Sequence, residues 1–399
     1  MSRLLSSALQ QTLTEWLGLE GLPERDPARF QALCQSVAEL SHLFTKDRAE
    51  RTRSYLDEAS LRAGYLAYFL PVNLAKVQAL LDELPADTLR EPADRPLRVL
   101  DVGSGPGTAA LAVLDWMQHQ STQRVVEIVA VDQALPALQE AERLWRVYAS
   151  TASGRVAGLN RLHLNLERSG SLEACKPEGP FDLIVMANAL SELWHESRDP
   201  IGSRVTFVQG LLDLLTPHGS LIIMEPALRG TSRSLHQVRD ALLAKQVCTV
   251  YSPCLHDDPC PALVKAGDWC HEERPWTPPA IVAAIDREVG FIKDALKFSY
   301  VILRKDGRTI VSRRPNVYRV VSELREMKGE KRAWLCNEAG RPEVGRQDRL
   351  RSEANVSVDD WHRGVIVRIS EIVRKTKGDR QGTVGRIEKS AEVEIVRPV

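Results

Sequence analysis

The stretch that decides the fold is "LRVLDVGSGPGTAALAVL", residues 97–114. A short run of β-favouring apolar residues carries an acid, Asp101, near its end. The glycines Gly103, Gly105 and Gly107 follow, and then an apolar run at helical spacing. Glycine tolerates the left-handed backbone that a sharp strand-to-helix turn needs. It also lets the main chain approach a ligand at the carboxyl edge of a sheet, beside a helix N-terminus. Two phosphate-binding loops are excluded: a dinucleotide fingerprint would place glycine or alanine where Thr108 stands, and an NTPase loop would end in Gly-Lys-Ser/Thr. What remains is GxGxG preceded by an acid.

On either side of this loop the chain changes character. From about 96 to 226 short β-rich runs alternate with helical ones, among them "VVEIVAVD", "ALQEAERLWRVYA", "RLHLNLE", "FDLIVMANAL", "RVTFVQGLLDLL" and "GSLIIMEPA". Such alternation predicts parallel βαβ units and a doubly wound sheet. Helices "SRSLHQVRDALLAK" and "PPAIVAAIDREVG" flank a cysteine-rich segment at about 250–276, so the α/β core is expected over 96–305. Residues 1–95 read as helical, with breaks at Pro71 and at the Gly21–Pro23 turn, and Tyr65, Tyr68 and Phe69 are expected to pack in a core. Residues 306–399 turn to β in runs such as "NVYRVVSEL", "KRAWLCNEAG" and "AEVEIVRP", which predicts a small C-terminal β domain.

Composition narrows the class. The chain has 399 residues, 43% hydrophobic and 27% charged, with a formal net charge of zero. No apolar run approaches the ~20 residues of a membrane-spanning helix, so no membrane partner is expected. The first twenty positions hold one basic residue, Arg3, and helically spaced leucines, which argues against a secretory leader; the cytoplasm is the expected location. Charge is uneven, since residues 306–399 carry 21 Lys+Arg against 15 Asp+Glu and the remainder 32 against 38. A basic last quarter suits a module that faces phosphate, although a solvated basic surface is the common explanation of so small an excess. Oligomeric state is not legible.

The second strand supports a nucleoside ligand, because "VVEIVAVDQA" ends in Asp132, 25 residues beyond Gly107, where a carboxylate can accept both ribose hydroxyls. The competing reading is an ordinary strand–helix turn with Asp132 as a helix cap. Together the two features resemble motif I and its acidic partner in the class I S-adenosylmethionine methyltransferases. That resemblance implies that Asp101 orients the methionine end of the cofactor, that Ser104 and Gly105 pack on it between Gly103 and Gly107, and that Gln133 lies near the adenosine; Glu167 is a weaker adenine-side candidate. Past the fourth strand, Asn188, Ser191, Glu192 and His195 are catalytic candidates, Glu192 or His195 as a base. The Asn/Asp-Pro-Pro-aromatic signature of amino-methylating enzymes is missing there, so no target atom can be read.

The remaining signal is "SPCLHDDPCPALVKAGDWCHEERP", residues 252–275. Seven cysteines in a long chain without a secretory leader argue against a disulfide framework, yet Cys254, Cys260 and Cys270 crowd into this proline-stiffened loop. A metal site is the natural reading, with a fourth ligand from His256, His271, Cys248 or the distant Cys336; the gaps match neither a zinc knuckle nor a common ferredoxin. Buried, unliganded thiols are the alternative. Combined with "FSYVILRK" and "AWLCNEAG", the loop resembles the family of methyltransferase-like small-ribosomal-subunit assembly proteins of mitochondria and bacteria, over roughly residues 55–375. That resemblance implies a [4Fe–4S] cluster on Cys254, Cys260, Cys270 and Cys336, action on the small ribosomal subunit or its rRNA, and the mitochondrial matrix as location in a eukaryote. Leu255 and Glu272 depart from the family pattern. Two other readings stay open: an assembly factor that keeps the fold without catalysis, and a generic methyltransferase with a structural zinc. The final 25 residues match nothing in this pattern.

Overall fold

The structure is a computed structural model that describes residues 5–45, 55–89, 95–120, 122, 124–151, 156–292, 294–374, 376–377, 380–381 and 384–398. Arg3 and part of the final 25-residue stretch therefore lie outside the described residues. Strand β1 (Leu97–Val102) is buried on both faces, with Leu97 and Val99 in one apolar layer and Leu100 and Val102 in the other. A strand covered on both sides must sit inside a parallel sheet with helices above and below. Its neighbours confirm this: β2 (Val126–Asp132), β3 (Val156–His163), β4 (Phe181–Ala187) and β5 (Leu215–Pro226) extend the parallel array in the order β3-β2-β1-β4-β5.

Beyond β5 the sheet changes direction. Strand β6 (Thr249–Ser252) and strand β7 (Glu272–Pro275) both pair antiparallel with β8 (Ala295–Arg304), which pairs antiparallel with β5. Five parallel strands closed by an antiparallel strand next to β5 make the core a class I methyltransferase sheet. The cysteine segment is thus an excursion that leaves the sheet edge at Ser252 and returns to it at Glu272.

Helices α1 (Ser7–Trp16), α2 (Pro27–Thr45), α4 (Leu70–Leu81), α5 (Thr108–Gln118), α6 (Leu135–Thr151) and α9 (Ala280–Val289) pack toward one apolar layer, and the short α3 (Ala59–Gly64) packs on α2. Helices α7 (Pro200–Leu214) and α8 (Arg229–Ala244) cover the other. Among the described residues no helix is long and apolar enough to cross a membrane. The expected break at Pro71 does not occur. A π turn, Tyr65–Phe69, joins α3 to α4, and the Leu70 N–H reaches back to the Tyr65 carbonyl; Pro71 falls at the start of α4, where a missing N–H costs little. The third strand also starts earlier than "RLHLNLE" suggested, at Val156.

The C-terminal part forms a second sheet from β9 (Val317–Val320), β10 (Arg325–Met327), β11 (Glu330–Cys336), β12 (Glu343–Gln347), β13 (Ile366–Ile369), β16 (Val384–Arg386) and β17 (Val393–Arg397), besides a separate pair, β14 (Thr376–Lys377) and β15 (Arg380–Gln381). It has its own apolar core around Val320, Leu335, Trp361 and Val367.

Glu83, just past α4, ties these parts together. It is 7% exposed and accepts hydrogen bonds from Arg274 Nη2 on β7 (2.9 Å), Tyr300 Oη on β8 (2.7 Å) and Ser252 Oγ, while Arg319 Nη2 on β9 lies 3.5 Å away and bonds Glu272 at 2.6 Å. Burial alone would raise the Glu83 pKa, but Arg319, Arg274 and the two hydroxyls outweigh it and hold the carboxyl below its ordinary range. Removing one member of a buried charge cluster leaves the others unpaired, so Glu83→Ala is expected to cost about 3–5 kcal/mol in a urea titration. A loss below about 1 kcal/mol would show that the clasp is dispensable.

Candidate functional site

The glycine loop stands at the carboxyl end of β1, between β2 and β4. Gly103 (φ 67°), Gly105 (φ 50°) and Gly107 (φ 85°) are all left-handed. At Gly103 a Cβ would lie 2.5 Å from the Ala189 Cβ, so only glycine lets the loop pass the end of β4. The Gly103 and Ser104 amides donate to the Val131 carbonyl (2.8 and 3.0 Å), which welds the loop to β2.

Both expected acids lie at this loop, but they do different work. Asp132 is half-buried at the end of β2, where its carboxylate accepts from Gly105 N–H and Ala134 N–H, each at 2.8 Å. A carboxylate has about four lone-pair sites, so it keeps capacity for a ribose hydroxyl beside these backbone amides. Burial raises its pKa against the opposing pull of those amides. Asp101 is 1% exposed and accepts from Ala110 N–H at the start of α5 (2.9 Å). Burial, aided by the neighbouring Asp132, pushes its pKa up to about 7 against the backbone hydrogen bonds. Gln133 is exposed, and its carbonyl faces His163 Nε2 at 2.9 Å.

At the end of β4, Asn188 is left-handed at φ 59° and donates its N–H to the Met224 carbonyl (2.7 Å). A non-glycine residue held there marks a constrained position of the kind found at functional sites. Glu192 closes a 3₁₀ turn, Leu190–Glu192, and the Ser191 N–H donates to Glu225 Oε1 at 3.0 Å. His195 turns outward, its side chain 40% exposed and 3.6 Å from Glu196. Glu167 accepts from the Trp194 N–H. From the N-terminal helices, Leu56 packs with Ala134, Ala137, Tyr55 and Tyr65 across the loop, and Tyr65 Oη stands 3.3 Å from Thr108 Oγ1. No sequence signal pointed to this cover beyond the aromatic run itself.

The cysteine loop is held by α8. Arg239, fully buried, donates to the His256 and Asp258 carbonyls (both 2.6 Å), and Asp240 Oδ2 receives the Cys260 N–H (2.9 Å). Arg233 gathers four carbonyls between Cys260 and Cys270, those of Ala262, Leu263, Lys265 and Asp268, at 2.8–3.1 Å. Such a loop has no ladder partners, and the two guanidinium groups satisfy its backbone instead. Sequence reading missed them, although both fall on one amphipathic helix just before the loop.

Cys254, Cys270 and Cys336 line one pocket, with about 440 Å³ of atom-free space including its mouth, together with His236 and His271. Cys336 comes from the end of β11, where it pairs with Arg319. Burial raises the Cys270 pKa to about 11, with Cys254 adding to it and Arg341 opposing. Burial, then Cys270 and Cys254, push both Cys260 and Cys336 well up. Within the pocket, His236 Nδ1 and His271 Nδ1 lack hydrogen-bond partners; burial lowers both pKa values to about 4. His256 turns to the Asp258 carbonyl (3.1 Å), and Cys248 packs beneath the loop against the second apolar layer. Among the described residues no group of three or more His, Cys, Asp or Glu side chains is arranged to hold a single metal ion.

Residues 59–345 match the model of a family described as mitochondrial small ribosomal subunit Rsm22. This chain belongs to the Rsm22 family. It is a methyltransferase-like protein of that small-ribosomal-subunit family. Among solved structures it is similar to the plantazolicin methyltransferase BamL (10% identity, 69% of this chain and 97% of that one, TM-score 0.35). It is also similar to an O-methyltransferase family protein from Burkholderia thailandensis (17%, 69% and 72%, TM-score 0.34) and to the mitomycin 7-O-methyltransferase MmcR (15%, 75% and 76%, TM-score 0.35). No curated protein matches the chain.

Asp101 makes a pH test. Its folded pKa of about 7 stands above the ordinary 3.8, so the folded state keeps a proton that the unfolded state releases. Stability is therefore expected to fall as pH rises from about 4 to 7, by at most about 4 kcal/mol at 1.4 kcal/mol per unit. Asp101→Asn should remove that slope in denaturant titrations across the range; an identical slope in the variant would place the proton elsewhere.

Proposed function

We propose that this protein binds S-adenosylmethionine at the glycine loop, holds an iron–sulfur cluster in the cysteine pocket, and acts on the small ribosomal subunit or its rRNA. The observation that carries the reading is the convergence of Cys336, from the C-terminal sheet, with Cys254 and Cys270 on one pocket of a methyltransferase sheet. An ordinary methyltransferase has no need of that pocket, and the family membership supplies the ribosomal context. The family's description supports the mitochondrial matrix as its place of action.

Each part rests on the donor set present. At the glycine loop, Asp132 has lone pairs for ribose hydroxyls, the left-handed glycines leave main chain free to pack against a ligand, and Asp101 sits beside the start of α5. The bound cofactor would supply an electrophilic methyl group. Asn188 and Glu192 stand at the end of β4, within reach of an acceptor entering above the loop, while Leu56 and Tyr65 exclude water from its other side. His195, turned to solvent, is the weaker candidate.

At the cysteine loop the chemistry is that of three thiols on one pocket, with Cys260 facing Cys254 and Cys270 electrostatically, and of Arg239, Arg319 and Arg341, cations that would offset the charge of thiolates. Cys254, Cys260, Cys270 and Cys336 would hold the cluster, which would supply a covalent cross-link between the loop and the C-terminal sheet.

Metal analysis tests the centre. Protein purified without oxygen is expected to carry about four iron and four sulfide per chain, with both lost in Cys336→Ser. One zinc and no sulfide would replace the cluster with the structural-zinc reading. The ribosomal part is tested with isolated small subunits and labelled cofactor. Saturable association that weakens with salt is expected, with label appearing on the RNA and abolished by Asp132→Ala. Association without transfer would make the protein an assembly factor that keeps the pocket; no salt-sensitive association at all would remove the ribosomal assignment.

A further inference from the structure

A further cavity, of about 290 Å³, lies where the N-terminal helices meet the C-terminal sheet. Ala75 and Ala79 of α4 line it, together with Arg274 of β7, Ile310, Arg319 of β9 and Arg397 of β17. It shares no residue with the glycine loop and only Arg319 with the cysteine pocket. Packed protein interiors leave few voids larger than a water molecule, so a space of this size is built into the seam.

Strand register sets the charge of this cavity. In the order β9-β13-β17, Ile366 of β13 pairs with Arg319 on one side and with Arg397 on the other. Directly paired residues point to the same face of a sheet, so the two guanidinium groups flank Ile366 on the face that it buries in the apolar layer of α4. With strands about 4.8 Å apart, their backbones stand about 10 Å from each other. The other arginines of these strands have acidic partners, Arg319 with Glu272 at 2.6 Å and Arg368 with Glu394 at 2.9 Å. Arg397 is half-buried and has none among the described residues.

The acids that line the cavity are already served. Glu83 accepts from Arg274, Tyr300 and Ser252, and Asp82 accepts from Trp116 Nε1 at 2.9 Å. Arg319 makes its side-chain hydrogen bonds to Glu83, Glu272 and Tyr300 through Nη2 alone, which leaves Nε–H and Nη1–H without an acceptor among the described residues. A half-buried cation without a counter-charge favours an anion from outside. More than one guanidinium suits a group with several acceptor oxygens, and a phosphate ester presents three at a charge of about −1.5 to −2. Ala75, Ala79 and Ile310 offer apolar wall to the remainder of the molecule. The volume lies at the lower end of ligand pockets, about 300–1,000 Å³, which limits the occupant to about one nucleotide unit.

We propose that this cavity binds a small organic phosphate, of mononucleotide size or less, with Arg397 holding the phosphate and Arg319 as the second donor across Ile366. Such a ligand touches α4, β7 and the C-terminal sheet at once, and its binding stabilises the seam between them. The site is separate from the glycine loop, so its failure would leave the function proposed above intact.

The test is calorimetric titration of the full chain with cytidine 5′-monophosphate, with cytidine as the uncharged control. Wild type is expected to bind the nucleotide, to unfold at a higher temperature in its presence, and to bind cytidine at least 10-fold more weakly. Arg397→Gln should lose 10-fold or more in affinity for the nucleotide. Ala79→Leu, which narrows the cavity from a helical position and changes no charge, should lose as much. Neither side chain belongs to the Glu83 clasp, so both variants should unfold at the wild-type temperature without ligand; if Arg397→Gln fails to fold, Ala79→Leu decides. Nucleotide and cytidine bound equally well, no nucleotide binding at about 1 mM, or affinity unchanged in the variants would each overturn the inference. A single-stranded oligocytidylate that displaces the nucleotide would make RNA the source of the phosphate and one that does not would make it a free metabolite, and both results uphold the site.

Discussion

The buried carboxylate of Glu83 is the constraint on which the rest of the structure hangs. It sits where the N-terminal helices end and takes partners from the sheet (Ser252, Tyr300), from the strand that closes the cysteine loop (Arg274) and from the C-terminal sheet (Arg319). Apolar packing is non-directional and would allow these parts to slide. A carboxylate that accepts from three directions does not, because any shift leaves a buried charge without a partner. Gly364 shows how closely the clasp is fitted, since a Cβ there would lie 1.9 Å from an Arg274 guanidinium nitrogen. The gain is one of geometry more than of net stability, as the desolvation of two arginines and two glutamates offsets much of their mutual attraction.

The same economy explains the cysteine loop. A long excursion from a sheet edge would ordinarily be mobile or carry its own secondary structure. Here α8 acts as a template, with Arg239 and Asp240 fixing the arc from His256 to Cys260 and Arg233 fixing the arc from Ala262 to Asp268. Those hydrogen bonds to backbone thereby hold the loop that carries Cys254, Cys260 and Cys270.

Legibility in the sequence followed the range of the interactions. The glycine loop and the alternation of strands and helices are local patterns, and both read correctly from the residues, down to the acid at the end of β2. Pro71 misled because a proline in a helical pattern signals a break, whereas the π turn before it absorbs the missing amide; nothing in "GYLAYFLP" announces that turn. Long-range partners were less visible. Cys336 could be linked to the loop only through family resemblance, and the paired antiparallel returns of β6 and β7 onto β8 have no sequence signature. Arg233 and Arg239 read as ordinary polar residues of an amphipathic helix until the carbonyls they serve are known.

Arg319 connects the clasp to the cysteine pocket. Its guanidinium bonds Glu272 and the Tyr300 hydroxyl, reaches Glu83, and lines the pocket of Cys254, Cys270 and Cys336. It is also the strand partner of Cys336. One buried cation thus faces the clasp on one side and the thiols on the other, so charge placed in the pocket acts on the group that holds the C-terminal sheet to the core. Four thiolates would strengthen the demand for Arg319 there, whereas four neutral thiols leave it to the two glutamates. The N-terminal helices reach the glycine loop as well: the π turn before α4 carries Tyr65, whose hydroxyl stands 3.3 Å from Thr108 Oγ1, and Glu83 just past the end of α4 serves Arg319. A helix cannot stretch along its axis without breaking its hydrogen bonds, so the positions of those two residues are set together. The N-terminal helices therefore both cover the glycine loop and anchor the clasp.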